Sequence, residues 1–207
     1  MFNDKYGLTA AVLQGRKTMT RRIESGMENL EEGNFCFLKR KQEIEIYGEK
    51  GTIIETIKPR YQVGEVVAIA QSYKDAGYTK EWVVQNVNPN PNAKPTDPFE
   101  KRYPGWTNKM FVKDDLMLHR IRITDIKIER PHDISDDDCI MEGIIRKKLD
   151  YTPDGYPKGL TYYGFYGWGL VSYSAKDAFA ALIDKVSGRG TWKANPWVFA
   201  YSYELVK

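Results

Sequence analysis

Residues 15–22, GRKTMTRR, gather Arg16, Lys17, Arg21 and Arg22 around the hydroxyls of Thr18 and Thr20, directly after a short apolar segment and Gly15. Two kinds of chemistry use such a set. Clustered cations bind phosphate or another anion, and an amine beside a hydroxyl can take its proton and make a nucleophile of the oxygen. The second use requires an unprotonated Lys17, so its pKa has to fall from about 10.4 to roughly 7 or 8, a change of about 4 kcal/mol. Arg16, Arg21 and Arg22 act in that direction, since like charges disfavour the ammonium form. Lys17 and Thr20 are three residues apart. A straight strand would send them to opposite faces, whereas a turn, which Gly15 makes easy, brings them together.

The elements around this loop follow from periodicity. LTAAVLQ (8–14) is built of helix formers and ends where Gly15 can serve as a C-terminal cap. Residues 34–58 alternate and contain the Gly-bounded GEKG, which predicts strands and a hairpin. In VGEVVAIAQSY (63–73) a Gly-Glu turn precedes a continuous apolar run, which reads as a central strand buried on both faces. Residues 74–109 are rich in Pro and Asn and read as a long surface loop. In LMLHRIRITDIKIERP the residues Met117, His119, Ile121 and Ile123 share one face, which predicts a buried or half-buried His119. The next apolar residues are Ile126 and Ile128, so the phase slips at Thr124 and Asp125, as a β-bulge would allow.

Two helix signals follow. In DISDDDCIMEGI, Ser135 is the N-cap, three aspartates fill the first turn, Ile134 and Cys139 form a hydrophobic staple, and Gly143 is the stop. AKDAFAALIDKVSG places Phe179, Leu182, Ile183 and Val186 on one stripe. Residues 149–174, between them, have no period and read as a second large loop or irregular hairpin. NPWVFAYSYELV predicts a C-terminal strand with Trp197, Phe199, Tyr201 and Tyr203 on one face. The fold class expected from this order is α+β, mainly β with short helices and long loop insertions, as in a small mixed barrel.

Composition narrows the ligands. A chain of 207 residues that is 42% hydrophobic has enough apolar surface for a real core. Its net charge of +3 means that any affinity for anions must come from local clustering. With 14 Tyr and 5 Trp, side chains that join a stacking surface to a polar tip are plentiful, which suits bases and sugars as ligands. Tyr73, Trp106 and Trp197 are the candidates for stacking, and Trp168 and Trp192 are read as core or rim. Cys36 and Cys139 have neither a CxxC partner nor a His cluster, so neither a disulfide framework nor a zinc site is implied, and the expected compartment is the cytoplasm. Nowhere do eighteen apolar residues run together, so no membrane partner is expected.

Gly15, Lys17, Thr20 and Arg22 stand in the order G-x-K-x-x-T-x-R, which resembles the signature of the ASCH domains. DISDDDCIMEGI is similar to the acidic helical segment of bacterial members, and GTWKANPWVFAYSYE to the end of phage and prophage-encoded ones. The resemblance implies a PUA-like β-barrel as a single domain over 1–207, with insertions at about 24–58, 74–109 and 146–175. One small bacterial member is an amidohydrolase that removes the acetyl group from 4-acetylcytidine through a Lys, a Thr and a Glu. Carried over, these fall on Lys17, Thr20 and Glu142. The resemblance thus implies metal-independent and cofactor-free hydrolysis of an acylated nucleoside or nucleotide, with Lys17 as base, Thr20 as the hydroxyl and Glu142 as proton donor. Gly15, Arg16, Arg21 and Arg22 would then bind the substrate, Arg21 and Arg22 holding a phosphate or the oxyanion. The alternative is a non-catalytic RNA-binding or regulatory module in which the same cations contact phosphate and the aromatics stack on bases.

Overall fold

A computed structural model describes residues 2–27, 30–149, 159–167 and 169–206. In chain order the elements are α1 (Leu8–Leu13), β1 (Met19–Arg22), β2 (Phe35–Leu38), β3 (Glu43–Tyr47), β4 (Ile53–Ile57), β5 (Val66–Ala68), α2 (Lys80–Asn86), α3 (Phe99–Arg102), β6 (Arg120–Glu129), α4 (Asp136–Met141), β7 (Ile145–Leu149), β8 (Leu160–Phe165), β9 (Gly169–Ser172), α5 (Ala175–Ser187), α6 (Thr191–Ala194) and β10 (Val198–Val206). The class is α+β, mostly sheet with short helices, and the described strands do not close into a barrel. They divide into two compact units, Asn3–Glu65 with Arg122–Leu205, and Val66–Ile121 with residues from the two termini.

The smaller unit departs from its sequence reading. Where 74–109 reads as loop, the chain forms α2, capped by Thr79 on the amide of Trp82, and α3, which starts after Pro98. Proline is tolerated at a helix start, and aromatics before, between and after the prolines supply a core. That core is Tyr73, Val83, Tyr103 and Met117, with Tyr78, Trp82, Phe99 and Trp106 packed against it. Composition marked the prolines as breakers but could not show that rings spaced along the segment converge. The expected central strand is also short. Only Val66–Ala68 is strand, and Val63 and Val66 are exposed, so an apolar run alone did not secure burial on two faces. His119, expected inside, is exposed and lies just before β6.

In the larger unit β1 pairs antiparallel with β10, Met19 opposite Ser202 through Arg22 opposite Phe199, and β10 lies between β1 and β6. Strand β6 buries Ile121, Ile123 and Ile126, so the expected change of phase is present in its burial. β2–β3–β4 form an antiparallel meander, as do β7–β8–β9. Of the two readings of 149–174, loop or irregular hairpin, the described part takes the second, with β8 and β9 paired across a register shift at Tyr163 and Gly164, while residues 150–158 and Trp168 lie outside the described residues. Helix α5, capped by Ser174, buries Phe179, Leu182 and Ile183, each worth about 1.5–3 kcal/mol; Val186 is exposed rather than on the stripe.

The cysteines differ sharply. Cys36 is exposed, while burial pushes the Cys139 thiol up to about 12. Titration of the native protein with a disulfide reagent is expected to show one fast thiol, Cys36, with the second appearing only on unfolding. Two fast thiols would show that α4 opens readily.

Candidate active site

Two helix ends build the site. At the end of α1 the amide of Gly15 bonds the carbonyl of Val12 and that of Arg16 bonds Ala11, a Schellman arrangement made possible by Gly15 at φ 69°. At the end of α4 the amide of Gly143 bonds Ile140 and that of Ile144 bonds Cys139, with Gly143 at φ 105°. The first turn delivers Lys17 inward, and the second leaves Glu142 as the C-cap. The Ser135 hydroxyl accepts from the amide of Asp138, as its sequence position predicts. Thr18 then ties the two ends together, its amide donating to the carbonyl of Met141 at 2.9 Å, while Tyr203 of β10 donates to the carbonyl of Thr18. The φ of 105° is what favours glycine at 143; a side chain there would also stand 3.2 Å from Leu8 Cδ2, so the leucine end would have to shift by a few tenths of an ångström.

Lys17 is 2% exposed. Its Nζ donates to Glu142 Oε2 at 2.6 Å, to the Met19 carbonyl at 2.7 Å and to the Glu142 carbonyl at 2.8 Å. The last of these satisfies a carbonyl that the helix end leaves open. Burial, the largest effect, pulls the Lys17 pKa below its usual 10.5. Glu142 opposes the shift, and Arg21 and Arg22 reinforce it. The depression expected from the neighbouring arginines is thus present, but its main cause is desolvation, which the sequence could not show.

The Lys17 ammonium bonds the carbonyl of the peptide unit that joins Met19 to Thr20. Thr20 is half-buried and stands opposite Tyr201. Strand alternation puts Thr20 and Arg22 on one face of β1 and Met19 and Arg21 on the other. Rings from β2 meet the aromatic segment at β10: Phe35 packs edge-on to Trp197 at 5.0 Å and Phe37 to Phe199 at 6.2 Å.

Arg21 is the chief correction. Expected to hold a phosphate or oxyanion, it is buried among carboxylates. Nη1 donates to Glu142 Oε1 at 3.0 Å, Nη2 to Asp138 Oδ2 at 2.9 Å, and Nη2 also pairs with Glu129 Oε1. Lys127 closes the far side, bonding Asp138 at 2.7 Å and Glu129 at 3.0 Å. Burial acts to lower the Arg21 pKa, but Glu142, Glu129 and Asp138 outweigh it and hold the guanidinium above its usual value. A charge so enclosed is not available to a phosphate.

The remaining candidates scatter. Arg16 is exposed, its guanidinium bonded to Gln14 Oε1, and Gly15 is exposed at the turn. Arg22 is half-buried opposite Phe199. Trp197 is half-buried with the Arg130 guanidinium 4.5 Å above its ring. Tyr73 cannot stack on a base, because it is 0% exposed in the core of the smaller unit, its hydroxyl accepting from the amide of Lys113. Trp106 belongs to that same unit and packs edge-on to Phe99. Sequence reasoning missed Glu129, Asp138 and Lys127. In sequence Asp138 is one of three acids that favour the helix N-terminus, and nothing local distinguishes it from Asp136 and Asp137.

Burial would raise the Asp138 pKa, but Lys127 and Arg21 overcome it and hold the carboxyl below its usual 3.8. Its contribution to stability is therefore present above about pH 4 and is lost as pH falls through the lowered value. Asp138→Asn is expected to cost about 1–3 kcal/mol at neutral pH and to flatten the loss of stability below pH 4, as read by urea melts at several pH values. An unchanged acid limb would show that the carboxylate is not held by these cations.

Among the described residues no group of His, Cys, Asp and Glu is arranged to hold a metal ion, and no helix is long and apolar enough to cross a membrane. What the fold and site define is an α+β protein with a buried lysine–glutamate pair locked into an ion cluster. Comparison with protein-family models, curated proteins and solved structures returned no match.

Proposed function

We propose that the protein is a metal-independent amidohydrolase of the ASCH type, on a PUA-like scaffold, acting on an acylated nucleoside or nucleotide such as 4-acetylcytidine. The observation that carries this reading is the 2.6 Å hydrogen bond between Lys17 and Glu142, groups 125 residues apart that are buried together. Moving the shared proton along that bond turns ammonium and carboxylate into amine and carboxylic acid, which are the base and the acid that amide hydrolysis needs. Burial favours the neutral amine of Lys17.

In this reading the Thr20 hydroxyl adds to the acyl carbon and passes its proton to the Lys17 amine. Glu142 protonates the leaving nitrogen, the C–N bond breaks, and water hydrolyses the resulting ester to release the acid and restore Thr20. Non-catalytic RNA binding through Lys17 and Arg21 is the weaker reading, because both cations are turned inward onto carboxylates.

The test is incubation of purified protein with 4-acetylcytidine and its nucleotides, with cytidine, or the corresponding free nucleotide, and acetate quantified by chromatography. Release above the protein-free control is expected. No release from any of them at stoichiometric protein would refute the assignment.

A further inference from the structure

We propose that Arg21 is a positioning residue, which orients the Glu142 carboxylate so that one oxygen faces Lys17 while Asp138 and Glu129 fix the guanidinium from behind. This rests on the reading of Lys17 and Glu142 as base and acid. Glu142 has its two oxygens divided, Oε1 on Arg21 Nη1 at 3.0 Å and Oε2 on Lys17 Nζ at 2.6 Å. The Arg21 side chain is 1% exposed, and it lies over the ring of Phe179 at 5.6 Å, which limits its tilt. Lys17, Arg21 and Lys127 balance Glu129, Asp138 and Glu142, so the cluster is neutral as a whole.

Stability alone does not account for such an arrangement. A buried ion network is seldom better than apolar residues of the same volume, because desolvation offsets the Coulomb gain. What the network does supply is a fixed carboxylate. A planar guanidinium spans three carboxylates with defined directions, which a lysine at the same place cannot do. Groups that bear on the Lys17–Glu142 pair include Arg21 and Arg22 on β1, Cys139 on α4 and Tyr203 on β10, whose phenol burial and Glu142 together hold well above its usual pKa, while Asp138 acts through Arg21. Of these, Arg21 bonds Glu142 directly.

The test is Arg21→Lys, which keeps the charge, with Asp138→Asn as a second variant that keeps Arg21 but removes one of its holders. Both are assayed for hydrolysis across pH. Both are also examined without substrate by side-chain NMR, following the Lys17 Nζ signal as it titrates. Arg21→Lys is expected to lower kcat by roughly 10- to 100-fold while KM changes by less than about threefold, and to shift the Lys17 titration. Asp138→Asn should move both in the same direction by less. Unchanged kcat and an unchanged Lys17 titration in Arg21→Lys would overturn the proposal, as would the same pair of results in Asp138→Asn if Arg21→Lys does not fold. If wild-type protein hydrolyses nothing, the catalytic reading fails. The Lys17 titration still decides whether Arg21 controls the pair, supporting the positioning role if it shifts and removing it if it does not.

Discussion

Lys17→Met is expected to lower amide hydrolysis by about 100- to 10,000-fold, the usual worth of a general base. Methionine follows the lysine stem through the enclosed path beside Leu8 and Gly143 and removes only the amine. Lys17→Arg keeps the charge but puts a larger head group at a position that is 2% exposed, so methionine is the cleaner test. Glu142 keeps Arg21 as a partner in the methionine variant, so folding should survive with a loss of about 1–3 kcal/mol from the carbonyls of Met19 and Glu142 left without their donor. Thr20→Val should reduce turnover comparably while leaving the β1–β10 pairing intact. Progress curves on 4-acetylcytidine, with circular dichroism to confirm folding, read both. Undiminished turnover in folded Lys17→Met protein would remove Lys17 from the chemistry and leave it as a cap on α4.

Glu142→Gln should produce the largest loss of stability. It removes the charge that compensates Lys17 and part of Arg21 where the side chains are buried, and breaking a buried pair in this way costs about 3–5 kcal/mol. For a chain of this size that corresponds to a fall in Tm of roughly 6–20 °C. The effect carries a pH signature. The Lys17 pKa in the folded state already lies below 10.5, so between that lowered value and 10.5 the unfolded chain binds more protons and the Lys17 contribution improves as pH rises. Glu142 works against the lowering, and its removal moves the folded value down further. The stability gap between variant and wild type is therefore expected to narrow as pH is raised above neutrality. A gap that widens with pH would mean that Lys17 is not the group left uncompensated.

Both helix ends that frame the site were written locally. Gly15 and Gly143 permit the left-handed turns and Ser135 caps α4, through hydrogen bonds between residues three or five apart, and Ile134 and Cys139, spaced for a staple, are both buried. Such signals survive in the sequence because the interacting groups are neighbours in the chain, and the phase change along β6 was legible for the same reason. Lys17 and Glu142 were singled out by motif, Lys17 from its own loop and Glu142 only by resemblance. What tertiary structure alone decided is which charge meets which. Arg16, Arg21 and Arg22 look alike in GRKTMTRR, yet one is exposed, one is buried against three carboxylates, and one lies half-buried opposite Phe199. Asp136, Asp137 and Asp138 are equally interchangeable on paper, and only the third reaches Arg21, 117 residues away. Side-chain direction on β1 follows from strand alternation, but the partner on the far side depends on where α4 docks and on how deeply the site is closed to water. The same closure that selects the partners also lowers the Lys17 pKa, because desolvation is a property of the packed interior and not of any residue within it.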